Sequence, residues 1–241
     1  MVYDYWFVQF DFPYDLETGK PSAQGKPYKS SGGKMVFNKV LKREIPEGWE
    51  VDAISDMVDV KDGTHDSPKP KDQGHYLITS KNLNKSGLDF ENANLISNED
   101  YEKIIKRSKV DTGDILFSMI GSFGTVYKVD EENINFAIKN VALYRTSQKP
   151  EYKNYLYTTL KSHYMRQYMG NVTSGSIQKF IGLGMLRNMP ILNNKMVIDA
   201  FEKKTKHLFH RLTLIKQENQ QLTQLRDWLL PMLMNGQVTV K

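Results

Sequence analysis

An acidic residue two places before a lysine is a spacing by which a nuclease can hold Mg²⁺ and a cation beside a scissile phosphate. The chain has three such triplets, Asp59-Val60-Lys61, Glu151-Tyr152-Lys153 and Glu202-Lys203-Lys204. With 28 acids and 26 lysines in 241 residues, about three arise by chance, so the triplets carry no signal. Pro46-Glu47 ahead of Asp59 reads as a turn. Of the 5 histidines, only His207 and His210 are near neighbours, at i and i+3 on the outer face of a long helix, with no third ligand in view. Cysteine is absent, which excludes disulfides, thiolate zinc sites and thiol nucleophiles. No Gly-x-Ser-x-Gly elbow, phosphate loop or Gly-x-Gly-x-x-Gly fingerprint occurs. Asn188-Met189-Pro190-Ile191 lacks the second proline and the aromatic of an amino-methyltransferase box. No local motif supports an enzyme.

Nucleic-acid contact is better served. Loops rich in Gly, Ser, Asn, Gln and Lys approach phosphates through backbone N–H groups and read base edges through amides and hydroxyls. Four such loops stand out: Lys61-Asp62-Gly63-Thr64-His65, Thr79-Ser80-Lys81-Asn82, Lys139-Asn140, and Thr173 to Lys179. Each alone is an ordinary solvated turn; together they shift the balance.

Three regions must position these loops. Residues 1–44 open with Tyr3, Tyr5, Trp6, Phe7, Phe10 and Phe12, then run through Gly-, Pro- and Ser-rich linker chemistry. Residues 45–192 mix short strands and helices and read as one α+β domain. Strands are expected at 75–79, 115–119, 125–129 and 141–145, with a hairpin around Gly121 and Gly124. A helix capped by Ser97 is expected next to them, and a second from Glu151 to Met169, stopped by Gly170. The formal net charge of +5 is uneven. Residues 45–102 carry −8 and residues 103–192 carry +7, so one face of the domain is expected to be basic.

Residues 193–241 carry +4 and hold the clearest pattern. No Gly or Pro interrupts Asn194 to Leu230, a helix of roughly 55 Å at about 1.5 Å per residue. Heptad d sites are Phe201, Leu208, Ile215, Leu222 and Leu229, and a sites include Ile198, Leu212 and Asn219. That is coiled-coil periodicity over about five heptads. Phe201, Leu208, Leu212, Ile215, Leu222 and Leu229 form the expected pairing stripe, ended by Pro231 and Gly236. No apolar run approaches the roughly 20 residues that span a bilayer. The start Val2-Tyr3-Asp4-Tyr5-Trp6 has no secretory character, so a cytoplasmic address is expected.

The residues also carry a resemblance. Tyr3-Asp4-Tyr5-Trp6-Phe7-Val8-Gln9-Phe10, Leu41-Lys42-Arg43-Glu44-Ile45-Pro46-Glu47-Gly48-Trp49 and the closing Leu229-Leu230-Pro231-Met232-Leu233-Met234-Asn235-Gly236 resemble specificity subunits of type I restriction-modification systems. Asp62-Gly63-Thr64-His65, Gly113-Asp114-Ile115-Leu116-Phe117-Ser118 and Gly175-Ser176-Ile177-Gln178 are similar to the family's recognition domain. The resemblance implies a mixed α/β target recognition domain at 45–192 followed by a spacer helix at 193–241. It implies a non-catalytic, DNA-reading subunit whose helix pairs antiparallel with another. Methyltransferase subunits, and in some assemblies restriction subunits, would be the partners. S-adenosylmethionine, ATP and Mg²⁺ would sit on those partners, with no cofactor in this chain.

Such subunits resemble two of these units in tandem, whereas this chain has one. Its start within the opening signature fits a natural half-length subunit, a recombinational cassette and a shortened chain alike. The expected readout set is Asp62, Thr64, His65, Lys81, Asn82, Lys139, Asn140, Ser174, Ser176, Gln178 and Lys179. Lysines and histidine would meet phosphate; Asp, Asn, Gln and Ser would meet base edges. The competing readings are a small Mg²⁺-dependent nuclease, the recognition part of a methyltransferase–nuclease fusion, and a coiled-coil adaptor with no role on DNA.

An unpaired five-heptad stripe predicts pairing with a second copy or with another half-subunit. A homodimer would have twofold symmetry. Light scattering at micromolar concentration is expected to give twice the 27.9 kDa chain mass; a monomer mass would contradict it.

Overall fold

In the computed structural model, residues 2–84, 87–120, 124–173 and 180–237 are described. They fall into two compact units, Met1–Lys203 and Lys204–Lys241. The first unit holds the strands β1 (Pro13–Asp15), β2 (Lys20–Pro21), β3 (Lys26–Pro27), β4 (Met35–Asn38), β5 (Arg43–Pro46), β6 (Glu50–Ala53) and β7 (Val60–Asp62). They are followed by β8 (His75–Thr79), β9 (Asn94–Ile96), β10 (Ile115–Ser118), β11 (Val126–Lys128), β12 (Phe136–Lys139), β13 (Val141–Tyr144) and β14 (Pro190–Asn193). The helices are α1 (Ile54–Met57), α2 (Asn98–Ser108), α3 (Lys153–Lys161), α4 (His163–Thr173), α5 (Leu183–Arg187) and α6 (Lys195–Met234).

The centre is the antiparallel sheet β11-β10-β13-β7. Every residue of β10 and β13 is buried. Side chains alternate across a strand, so these two strands face two cores. Ile115, Phe117, Ala142 and Tyr144 join an aromatic cluster on one side. Leu116, Val141 and Leu143 join Ile78, Phe136 and Ile138 on the other. Those last three come from the sheet β12-β8-β9, in which β12 and β8 run parallel. Its far face, with Leu77 and Ala137, is covered by Ile104 of α2. The mixed α+β architecture expected from the sequence is therefore present.

Residues 1–44 do not behave as a linker. Their Gly- and Pro-rich stretch folds into β1, β2 and β3 as one small antiparallel sheet and into the β4–β5 hairpin. Tyr3, Trp6, Phe7, Phe10 and Phe12 are buried in the aromatic cluster. Phe7 lies 4.7 Å from Tyr155, 5.3 Å from Phe201 and 5.7 Å from Trp49 between ring centroids. Such contacts add about 0.5–1.5 kcal/mol each beyond area burial. Burial of this hydrophobic surface outweighs the weak strand propensity of the segment.

Two helices differ from expectation. The helix expected from 151 to 169 is broken at Ser162, whose extended backbone separates α3 from α4. Its hydroxyl accepts from the Met165 amide at 3.2 Å and so caps the next helix. Gly170 does not stop α4, which runs on to Thr173. Pro231 lies inside α6 rather than ending it; a proline there removes one ladder bond. Gly236, with φ +68°, follows the helix in the left-handed conformation glycine tolerates.

Phe201 is only 1% exposed and belongs to the aromatic core, packed on Tyr3, Trp6 and Phe7. It is therefore not part of the free stripe assigned to it above. Next to it, Glu202 accepts from the Tyr155 amide at 2.7 Å and the Asn154 side chain at 2.8 Å, at the start of α3. Within the second unit, Leu208, Leu212, Ile215 and Leu222 are 44–59% exposed and Leu229 is half-buried.

Burial pushes the Glu202 carboxyl from its ordinary 4.5 up to about 7, against the opposing pull of those hydrogen bonds. A raised acid stabilises the fold fully below pH 4.5 and loses that contribution as pH rises through about 7. Glu202→Gln is expected to flatten the stability slope between pH 5.5 and 8 by on the order of 1–3 kcal/mol, in urea denaturation at several pH values. Parallel wild-type and variant profiles would contradict this.

Candidate nucleic-acid interface

The end of β7, the β12–β13 turn and the segment after β8 meet at one corner. Gly63 makes the approach possible: a Cβ there would stand 2.3 Å from the Ile138 carbonyl oxygen, so only glycine fits. The Gly63 amide donates to the Val141 carbonyl at 2.9 Å and the Thr64 amide to that of Ile138 at 2.9 Å. Thr64 thereby bridges Lys139 in parallel. Asn140 turns the chain from β12 to β13 at φ +53°, a conformation asparagine tolerates better than most residues. Its amide donates to the Thr64 carbonyl at 3.2 Å, and its own carbonyl accepts from the Ser80 hydroxyl at 2.9 Å.

Side chains lock the corner. The His65 ring lies 2.9 Å from Asn140 Oδ1 through Nδ1 and 2.9 Å from Asp62 Oδ2 through Nε2. Whichever way the Asn140 carboxamide is turned, one of its two polar atoms is held by His65. Asp62 is buried, and its other oxygen is paired with Arg107 of α2. The same Arg107 Nη2 also donates to the Gly63 carbonyl at 3.2 Å. Lys139 Nζ donates to the Ser67 hydroxyl at 2.5 Å.

Next to this corner is an open cleft of about 470 Å³, outside the C-terminal ends of the parallel strands β12 and β8. It is lined by Lys81, Asn82, Asn92, Asn94, Ile120 and Asn140 among others. Lys81 is exposed and makes no side-chain bond among the described residues. Asn82 is buried, accepting from the Thr79 amide and hydroxyl at 3.0 and 2.7 Å and donating to the Asp89 carbonyl at 3.2 Å.

The loops singled out in the sequence thus converge in part. Asp62, Thr64, His65, Lys139 and Asn140 form one corner, and Lys81, Asn82 and Asn140 line one cleft. Ser174, Ser176, Gln178 and Lys179 lie outside the described residues. Asp62 and Asn82 are occupied internally, so they position the loops rather than face outward. Sequence reasoning passed over Arg107, Asn92 and Asn94. Arg107 sits 45 residues from Asp62 and carries no local motif, and Asn92 and Asn94 occur in an unremarkable polar run.

The basic block is partly consumed inside the fold. Arg145 pairs with Asp59 at 3.8 Å and Asp111 at 4.0 Å, and Arg187 donates twice to the Val60 carbonyl at 2.8 and 2.9 Å. The acid-x-Lys triplets are scattered: Asp59 pairs with Lys61 and Arg145, while Glu202 caps α3. Among the described residues, no group of three or more His, Asp or Glu is placed to hold a metal ion. No described helix is long and apolar enough to cross a membrane.

A sheet core that presents polar loops at one corner, followed by a long helix, defines a class: the type I restriction modification DNA specificity domain, whose pattern matches residues 46–224. The chain belongs to that family. It is 25% identical over 212 residues to the HindI specificity subunit of Haemophilus influenzae, spanning 80% of this chain and 42% of that protein. It is 22% identical over 244 residues to the MjaIX specificity subunit of Methanocaldococcus jannaschii, spanning 98% and 51%. The chain therefore spans about half the length of the curated relatives it matches. The solved S subunit of a type I system from M. genitalium has a similar fold, at TM-score 0.50 and 12% identity over 76% of this chain and 45% of that one.

Arg107→Ala leaves a buried carboxylate short of its cation and the Gly63 carbonyl without this donor. It is expected to lower stability by about 1–3 kcal/mol and to speed amide exchange at Gly63 and Thr64. Unchanged exchange at those two amides would show that Arg107 does not hold the corner.

Proposed function

We propose that this chain is a half-length specificity subunit of a type I restriction-modification complex, reading one half of a bipartite double-stranded DNA target. One observation carries the reading: a family match across most of the chain coincides with a corner that gathers Thr64, His65, Lys139 and Asn140 beside the Lys81 cleft. Lys81, Lys139 and His65 approach phosphates; Asn140 presents an amide to base edges. Ser174, Ser176, Gln178 and Lys179, outside the described residues, stay in the proposed readout set on their residue types alone.

The chain acts as a non-catalytic reader. Its partners are methyltransferase subunits and, where restriction occurs, restriction subunits, which carry S-adenosylmethionine, ATP and Mg²⁺. The exposed leucine stripe of α6 supports pairing with a second copy or another half-subunit, which places two recognition domains on one DNA. The division of labour is 1–44 as an aromatic lead-in, 45–192 as the recognition domain and 193–241 as the spacer helix. The setting is the cytoplasm, where the genome is.

The test is duplex binding by the full chain assembled with its methyltransferase, across a salt series. Affinity is expected to fall steeply with salt, and Lys81→Ala to weaken binding across sequences and lower the slope of log K against log salt by roughly one. Binding that is absent, or independent of salt, would contradict the reading.

A further inference from the structure

The cleft beside the corner holds four carboxamides, and their hydrogen bonds sort them. Asn82 has both polar atoms engaged, with Thr79 and Asp89. Asn92 donates its Nδ2 to Asp89 at 2.9 Å. Asn140 has one atom held by His65 at 2.9 Å. Asn94, at the start of β9 and opposite Leu77 of β8, is exposed and makes no side-chain hydrogen bond among the described residues. It is the one carboxamide lining the cleft, among the described residues, whose donor and acceptor are both open.

That pair of open atoms has a specific chemical meaning. Adenine offers the major groove an N6 donor and an N7 acceptor, which a single carboxamide matches bidentately. A carboxamide atom already engaged is turned towards its partner and has only its second lone pair or second N–H left for a base, so Asn94 is the least committed of the four. Guanine presents two acceptors on that edge, and cytosine one donor, so neither satisfies both atoms. The same cleft carries Ile120, 36% exposed, as an apolar wall. Thymine alone of the four bases places a methyl group in the major groove. Lys81 lies at the same cleft with its ammonium free for a backbone phosphate. The backbone behind Asn94 is paired into β8, the central strand of its sheet, which sets the carboxamide on a rigid element rather than a loop tip.

We propose that Asn94 is a specificity-determining residue that reads an A·T pair in the major groove, its carboxamide taking adenine N6 and N7 while Ile120 meets a thymine methyl. This rests on the function proposed above and names the base pair read by one part of that site. Asn82 and Asn92 then act as positioning residues that shape the cleft. The acceptor-only side chain of the Asn94→Asp variant matches the exocyclic donor of cytosine instead, so the preference moves rather than merely weakening.

The experiment is selection from a randomised duplex library by the full chain assembled with its methyltransferase. The wild type is expected to enrich a motif containing an A·T pair that Asn94→Ala makes degenerate, with discrimination at that position falling on the order of 5- to 150-fold. Asn94→Asp is expected to shift the same position towards C·G while the rest of the motif is kept. Replacing adenine there by 7-deazaadenine, which lacks the N7 acceptor, is expected to weaken the wild type and leave Asn94→Ala indifferent. This last arm needs no variant on the wild-type side, so a misfolded substitution does not blunt it. A wild-type motif that Asn94→Ala leaves unaltered, or indifference of the wild type to 7-deazaadenine at every adenine, overturns the assignment alone. No enriched motif from the wild type overturns the proposed function and the assignment with it.

Discussion

Phe201 ties together stretches of chain that lie far apart in sequence. Its ring packs on Tyr3, Trp6 and Phe7 from the opening segment, and Phe7 in turn touches Tyr155 of α3 and Trp49. Apolar burial of this kind is the main favourable term in folding, and here it joins the lead-in, the sheet and the first turns of α6 in one cluster. Glu202, one residue on, adds a polar clamp to the start of α3 at the expense of a buried carboxyl. The helix therefore begins as part of the core. Beyond Lys203 its leucines other than the half-buried Leu229, and Ile215, stand exposed. An apolar stripe of this length is a surface that calls for a partner.

The corner at the end of β7 depends on the same economy of elements. Two stacked sheets share a core, and their strand ends bring residues near 62–65, 80 and 140 within hydrogen-bonding distance. The corner is fastened by Gly63, Asp62 and Arg107, which act through the fold, and by the backbone of Asn140, which turns the chain there. Residues that face outward, such as Lys81 and Asn94, sit on this frame without supporting it. Loops on a rigid scaffold vary with little effect on the fold. A DNA reader can change its target on that basis without refolding.

Much of this was legible in the residues, for identifiable reasons. The expected strand at 75–79 is β8, the Ser97 cap begins α2, and the apolar stretches at 115–119, 125–129 and 141–145 contain β10, β11 and β13. Those elements have strong local signals. The strands β7, β12 and β14 span three or four residues, as do β10, β11 and β13, and what makes them strands is pairing with β13, β8 and β6, partners the local sequence does not show. The lead-in reads as a linker because Gly, Pro, Ser and Lys crowd residues 19–34, while its order comes from tertiary burial of aromatics. The heptad pattern ran through Phe201 without marking where core ends and open stripe begins. In the candidate site, Asp62, Thr64, His65, Lys139 and Asn140, singled out by residue type, gather at the corner. The difference between a side chain that fastens, as Asp62 and Asn82 do, and one that faces out is set by partners distant in sequence.

The central claim is that one folded unit reads one half of a divided target and that pairing through α6 supplies the other half. Methylome sequencing of cells carrying this chain with its cognate methyltransferase tests it most directly. Pairing of two identical copies predicts methylation at a palindromic, bipartite motif with half-sites about one helical turn apart, roughly 34–36 Å. Methylation at a single undivided motif, or none that depends on this chain, would contradict the account.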